Sequence, residues 1–139
     1  MRHALTVLLF AVAATPAAAM GGAWCDADDA KATVSVQAAL TRAAGAVVTF
    51  EGKLAVKGEK PLAAVFGRDD LAQFWFDGTE MRFLLYREAD DTSAIEVEIR
   101  ASAGEEENYA GEYRIRLHAV ADGESVVTEQ TGPVSCSAD

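Results

Sequence analysis

From Ile95 to Ala101 apolar and charged residues alternate without exception: Ile95, Val97, Ile99 and Ala101 against Glu96, Glu98 and Arg100. On a helix these charges would spread around the cylinder. On a strand they fall on one face and the apolar residues on the other, so the segment predicts a strand with one buried and one wet face. The segment EYRIRLHA repeats the pattern, with Tyr113, Ile115, Leu117 and Ala119 inward and Arg114, Arg116 and His118 outward. EMRFLLYRE alternates more loosely through Met81, Phe83 and Leu85. AVVTFEGKLAVKG reads as a longer strand bent at Gly52, PLAAVFG and LAQFWFDG as short apolar strands, and SVVTEQTGPV as a last strand broken near Gly132-Pro133.

Turn signals separate these runs. Asp77-Gly78 and Asp122-Gly123 suit tight hairpins, where positive φ is needed. Lys57–Pro61 and Gly67–Asp70 serve as slightly longer connections. Strands at this spacing predict an all-β protein: a single antiparallel β-sandwich, immunoglobulin-like or related, of about 7–9 strands. One segment reads two ways. Across residues 26–45, Asp26 or Asp28 would cap a short N-terminal helix closed by Arg42 and Gly45, whereas Val34, Val36, Ala38 and Leu40 alternate as a strand over about 33–40. The strand is the preferred reading.

The stretch YAGEYRIRL places a glycine two residues before a tyrosine that opens an alternating strand; a DG hairpin and a final strand follow. This layout is similar to the end of many immunoglobulin-like sandwiches, in which a tyrosine near the start of the penultimate strand bonds back to nearby backbone. Gly111 and Tyr113 carry the resemblance, over the last quarter of the chain. It implies structural roles for both and says nothing of function. The family's inter-sheet cysteine pair has no counterpart, since no cysteine stands two positions after Tyr113.

The first 19 residues combine Arg2, an apolar run from Leu5 to Ala14 and small residues at Ala17-Ala18-Ala19. That is the pattern of a cleavable signal peptide with cleavage after Ala19, and its apolar run is too short to span a bilayer. The expected location is the periplasm of a Gram-negative cell, with secretion beyond it as the alternative. Residues 20–139 then form one domain, large enough to bury about two-thirds of its unfolded surface.

Cys25 and Cys136 are the only cysteines. In an oxidising compartment they are expected to pair, joining the two ends of the domain. They lack the C-x-x-C spacing of a redox pair and the second ligand set of a metal site.

Without the leader the chain keeps 11 Lys plus Arg against 22 Asp plus Glu, a net charge of 11 − 22 = −11. Such acidity opposes nucleic acid and anionic lipid and steers basic proteins inward. No membrane insertion is expected, since no later apolar segment is long enough.

Chemistry-bearing residues are sparse. His118 is the one histidine beyond the leader, and no serine stands in a nucleophile-elbow setting. Asp26, Asp28 and Asp29 miss the D-x-D-x-D-G calcium spacing, and no glycine-rich phosphate loop occurs. No metal, cofactor or catalytic residue is therefore expected.

Two features fit binding. Trp75, opposite in facing to Phe74 and Phe76, would anchor an interface if its face is uncovered. Glu105, Glu106, Glu107 and Tyr109 would enter a basic cleft, unless they form a solvated hairpin tip. The leading expectation is a periplasmic, non-catalytic protein that binds another protein or an envelope component, its oligomeric state open. The second is an inhibitor or immunity-type protein blocking a cationic cell-wall hydrolase, although the S-G-x-x-Y motif of one group of lysozyme inhibitors is absent. The third is a hydrolase working through carboxylates alone.

Overall fold

The computed structural model describes residues 20–41 and 45–139. The leader, residues 1–19, and Arg42 lie outside the described residues. The chain forms nine strands: β1 Met20–Asp28, β2 Ala32–Thr41, β3 Val47–Val56, β4 Leu62–Phe66, β5 Leu71–Phe76, β6 Glu80–Asp90, β7 Ser93–Ala103, β8 Asn108–Ala121 and β9 Glu124–Ala138. A 3-10 turn, Arg68–Asp70, separates β4 from β5.

The ambiguous N-terminal segment is extended. Val34, Val36, Ala38 and Leu40 on β2 are all buried, so the period-two reading holds and no α-helix occurs among the described residues. Asp29 heads a turn instead of a helix: its Oδ1 accepts the backbone N–H groups of Lys31 at 2.7 Å and Ala32 at 2.9 Å. Asp122 and Gly123 have φ of 53° and 79°, the two positive values that a two-residue hairpin joining β8 to β9 requires.

All pairings are antiparallel, in one continuous sheet ordered β4-β3-β2-β1-β9-β8-β7-β6-β5. Two meanders, β1–β4 and β5–β9, meet where β1 pairs with β9. Following the alternation around this order, β4 and β5 both run opposite to β1 and hence in the same sense. The 3-10 turn thus carries one line of chain from the edge beside β3 to the edge beside β6. The sheet rolls so that these edges approach. The Phe50 ring on β3 lies 6.1 Å from that of Phe83 on β6. A Cβ on Gly52 would be 3.2 Å from Leu85 of β6 and 3.3 Å from Phe66 of β4. The Arg87 guanidinium of β6 donates to the Val65 carbonyl of β4. No ladder joins β4 to β5, so hydrogen bonding leaves the roll open there.

The core is the inner surface of this roll, a single cluster including Tyr113, Phe66, Phe83, Met81, Leu85, Ile99 and Ile115. Ile95, Val97, Ile99 and Ala101 are buried, and so are Met81, Phe83 and Leu85, as their alternation predicts. The inward pattern of β8 fades toward its hairpin: Tyr113 and Ile115 are buried, Leu117 is half-buried and Ala119 exposed. Outside, Arg116 pairs with Glu96 and with Glu129 on the flanking strands.

Three details differ from expectation. β9 runs unbroken through Gly132-Pro133, because β8 pairs with it over its whole length. Pro133 sits where β9 has β8 as its sole neighbour, and its missing N–H is on the side turned away from β8, so no ladder bond is lost. The β3 ladders pass regularly through Gly52; the irregularity is at Val48, where pairing shifts between Ala39 and Leu40. Tyr113 does not bond nearby backbone. Its hydroxyl crosses to Asp29 in the β1–β2 turn and donates to Oδ2 at 2.7 Å. The ring reaches there over Gly132, its direct cross-strand partner, where a Cβ would lie 2.5 Å from the hydroxyl oxygen. Gly111 is needed for a different reason: a Cβ there would meet the Arg100 carbonyl oxygen at 1.8 Å.

Cys25 and Cys136 are bonded, with the sulfurs 2.02 Å apart. They face each other directly on β1 and β9, whose ladder has only four residue pairs, Ala23↔Ala138 to Asp26↔Ser135. The disulfide therefore reinforces the short seam between the two meanders.

Candidate functional site

The short strand β5 decides what Trp75 can do. Leu71 is buried, and the Phe74 ring packs 4.9 Å from Phe83, so one face of β5 is committed to the core. Alternation turns Trp75 outward, where it is 54% exposed. Its face is uncovered. Gln73, Asp77, Glu80 and Arg82 surround the indole and line a groove of about 330 Å³.

This rim is well ordered by local bonds. Asp77 Oδ1 accepts from the Thr79 hydroxyl at 2.8 Å and from the backbone N–H groups of Thr79 at 2.9 Å and Glu80 at 2.8 Å. Those donors, the Thr79 hydroxyl foremost, pull its carboxyl down to about 2, so it stays ionised. Arg82 stands directly opposite Trp75, and Arg100 opposite Arg82. Each guanidinium is clamped by the glutamate two residues before it, Glu80 and Glu98, at 2.5 Å. The surface is an aromatic centre within a rim of both charge signs.

The acidic segment is a defined turn. Glu105, Glu106 and Glu107 are all exposed. Glu106 and Glu107 have φ of 52° and 60°, a left-handed conformation costing ~1–2 kcal/mol per residue outside glycine. The Asn108 side chain holds it, donating to the carbonyls of Glu105 and Glu106 at 3.1 Å. Tyr109 does not share the exposed tip. It is buried, its hydroxyl donating to the Gly78 carbonyl at 3.1 Å and its ring edge-on to Phe76 at 5.7 Å. Its part is to tie the acidic turn to the end of β5, around a groove of about 270 Å³ that Phe76, Gly78, Glu107 and Asp139 help to line. Sequence reasoning had not linked the two candidate features; the Tyr109–Phe76 contact places both at the same end of the roll.

The remaining candidates are dispersed. His118 is on the outer face with Nε2 4.0 Å from Glu96. Asp28 is held by Lys57 at 2.6 Å and Asp29 by Tyr113, and Asp26 is on β1. Among the described residues no group of three or more His, Cys, Asp or Glu is arranged to hold a metal ion. Nor is any helix among them long and apolar enough to cross a membrane. Comparison with protein families, with known proteins and with solved structures finds no match to this chain.

Proposed function

We propose that the protein acts in the periplasm by binding another protein, and that Trp75 on the outer face of β5 is the anchor. In this reading the rolled sheet serves as a sandwich-like shell with its two meanders as facing layers. The observation that carries the reading is a large aromatic, half exposed, at the centre of a rim of ordered polar groups. Interface hot spots have this composition: a tryptophan or tyrosine that gains by desolvation, encircled by polar groups that exclude water. Capture from envelope extract tests it. Trp75→Ala is expected to abolish recovery of a partner that the unaltered protein retains, and the indole fluorescence is expected to shift when that partner is added. Equal recovery with Trp75→Ala defeats the proposal.

A second reading is supported by the acidic turn. Three exposed carboxylates on a turn already held in its strained conformation suit a cationic cleft, as an inhibitor of a basic cell-wall hydrolase would need. It predicts a salt-sensitive complex, weakened when Glu105, Glu106 and Glu107 become glutamine.

A further inference from the structure

At the end of the roll remote from Trp75, β9 outruns β1. Its ladder with β1 covers only Ser135–Ala138, whereas β8 pairs with it from Glu124 onward. Between Glu124 and Gln130 one side of β9 has no backbone partner among the described residues. The parity of this edge can be read directly. Lys31 Nζ donates to the Thr131 carbonyl at 3.0 Å, so Thr131 turns its backbone away from β8. Antiparallel alternation then turns the N–H and C=O of Ser125, Val127 and Glu129 the same way, outward.

Free edges are normally guarded by charged side chains, lysine above all, by proline, by a bulge or by brevity. Glu124 and Glu129 flank this edge, but Ser125-Val126-Val127-Thr128 between them carries no charge, proline or bulge, and Val126 and Val127 are 47% and 50% exposed.

We propose that this edge pairs with the same edge of a second copy, antiparallel and centred on Val127. The edge is self-complementary about a two-fold axis, which is the argument for that occupant, and the charge pattern selects the register. With Val127 facing its own counterpart, Ser125 faces Glu129 and Glu124 faces Gln130, so no carboxylate opposes a carboxylate. All three outward-facing residues then exchange hydrogen bonds across the two-fold axis. Centring on Glu129 sets two glutamates face to face, which is repulsive. Centring on Ser125 runs the strands into the Asp122-Gly123 turn and leaves outward groups unpaired. Edge pairing alone buries less than the roughly 1,200 Å² of a standard interface, so the dimer is a weak one. Two chains of net charge −10 repel, and screening strengthens their association.

Sedimentation analysis of the disulfide-bonded protein up to about 1 mM tests this, because weak dimers populate only there. A monomer–dimer equilibrium that tightens with added salt is expected. Val127→Pro is expected to weaken it at least tenfold. Ser125→Glu, which puts like charges opposite each other, also loosens it, whereas Ser125→Lys tightens it against Glu129. Trp75→Ala leaves it unchanged, which separates this surface from the proposed partner site. A monomer at every concentration overturns the inference, and so does a dimer indifferent to both Val127→Pro and the Ser125 pair.

Discussion

The two ends of β9 are one strand in two environments. Its C-terminal end lies between β1 and β8, buried at Val134, Cys136 and Ala138 and bonded through Cys136 to Cys25. Its N-terminal end, Glu124–Gln130, has β8 on one side and, among the described residues, no backbone partner on the other. Residue types do not separate them, since Ser-Val-Val-Thr is as suited to a sheet interior as Val-Ser-Cys-Ser. What differs is how far β1 extends beside each. Where β1 accompanies β9, the strand closes the fold; where β1 has turned away into β2, the strand is free to pair elsewhere.

The closed end is therefore the place to expect the largest loss. Only four residue pairs join the meanders there, and their formation brings together chain positions 111 residues apart. Chain entropy assigns a crosslink over such a loop up to ~4.7 kcal/mol. Replacing Cys25 and Cys136 together by alanine is expected to lower the unfolding free energy by about 3–5 kcal/mol in urea titration. A loss under about 1 kcal/mol would show that the ladder alone holds the seam.

Next in size is Gly111, paired with Val134 at the same end. Gly111→Ala forces the β7 backbone at Arg100 to move, and a loss of about 3 kcal/mol is expected from overpacking against backbone. Thermal denaturation with the outer ion pairs intact checks it. A change below about 0.5 kcal/mol, typical of ordinary surface positions, would mean the strand has slack there.

Tyr113 and Asp29 lie between the two ends of β9, and their bond has a pH signature. The Tyr113 hydroxyl, with the backbone N–H groups of Ala32 and Lys31, lowers the Asp29 carboxyl. A depressed carboxyl stabilises the fold above the unfolded value, near 4, and that contribution fades as pH falls through the lower folded value. Burial, with the Asp29 bond second, raises the Tyr113 phenol, so its share persists until strongly alkaline pH. Tyr113→Phe is expected to cost about 1–2 kcal/mol at neutral pH, the scale of a hydrogen bond to a charged group. The difference from the unaltered protein should shrink as pH falls below about 4. A gap that stays constant from pH 7 to pH 2 would assign the loss to packing.

Much of this architecture is legible in the sequence because alternation reports faces. It places Ile95, Val97, Ile99, Tyr113 and Ile115 inward and Trp75 outward whatever their neighbours are. Register is another matter. Reading Asp77-Gly78 as the two loop residues would set Trp75 opposite Glu80, but the Asp77 side chain caps a turn one residue later and Trp75 meets Arg82. That slip of two positions conserves the face and changes the partner. Sheet closure is less legible still. Nothing local distinguishes strands of two stacked sheets from strands of one rolled sheet, since both bury alternate residues; the β1–β9 pairing decides, and the cysteine pair was its sole sequence trace. Tyr109 was misplaced because adjacency to three glutamates suggested exposure, while its parity on β8 with Tyr113 and Ile115 pointed inward.

The smallest effect is expected at the free end, and it follows from parity. Val127 turns its N–H away from β8, toward the side on which Pro133, six positions later in the same strand, lacks one. Proline at 127 therefore removes no bond within the chain, and its stability effect should stay within about 1 kcal/mol. Proline at 128 removes an N–H that faces Leu117 across the β8–β9 ladder, and should cost clearly more, up to about 3 kcal/mol. Measuring both variants by thermal unfolding isolates one variable, because the residues are adjacent, both exposed and on the same strand. If Val127→Pro proved the more damaging, the outward N–H would already be bonded within the fold, and the two ends of β9 would differ far less than their neighbours suggest.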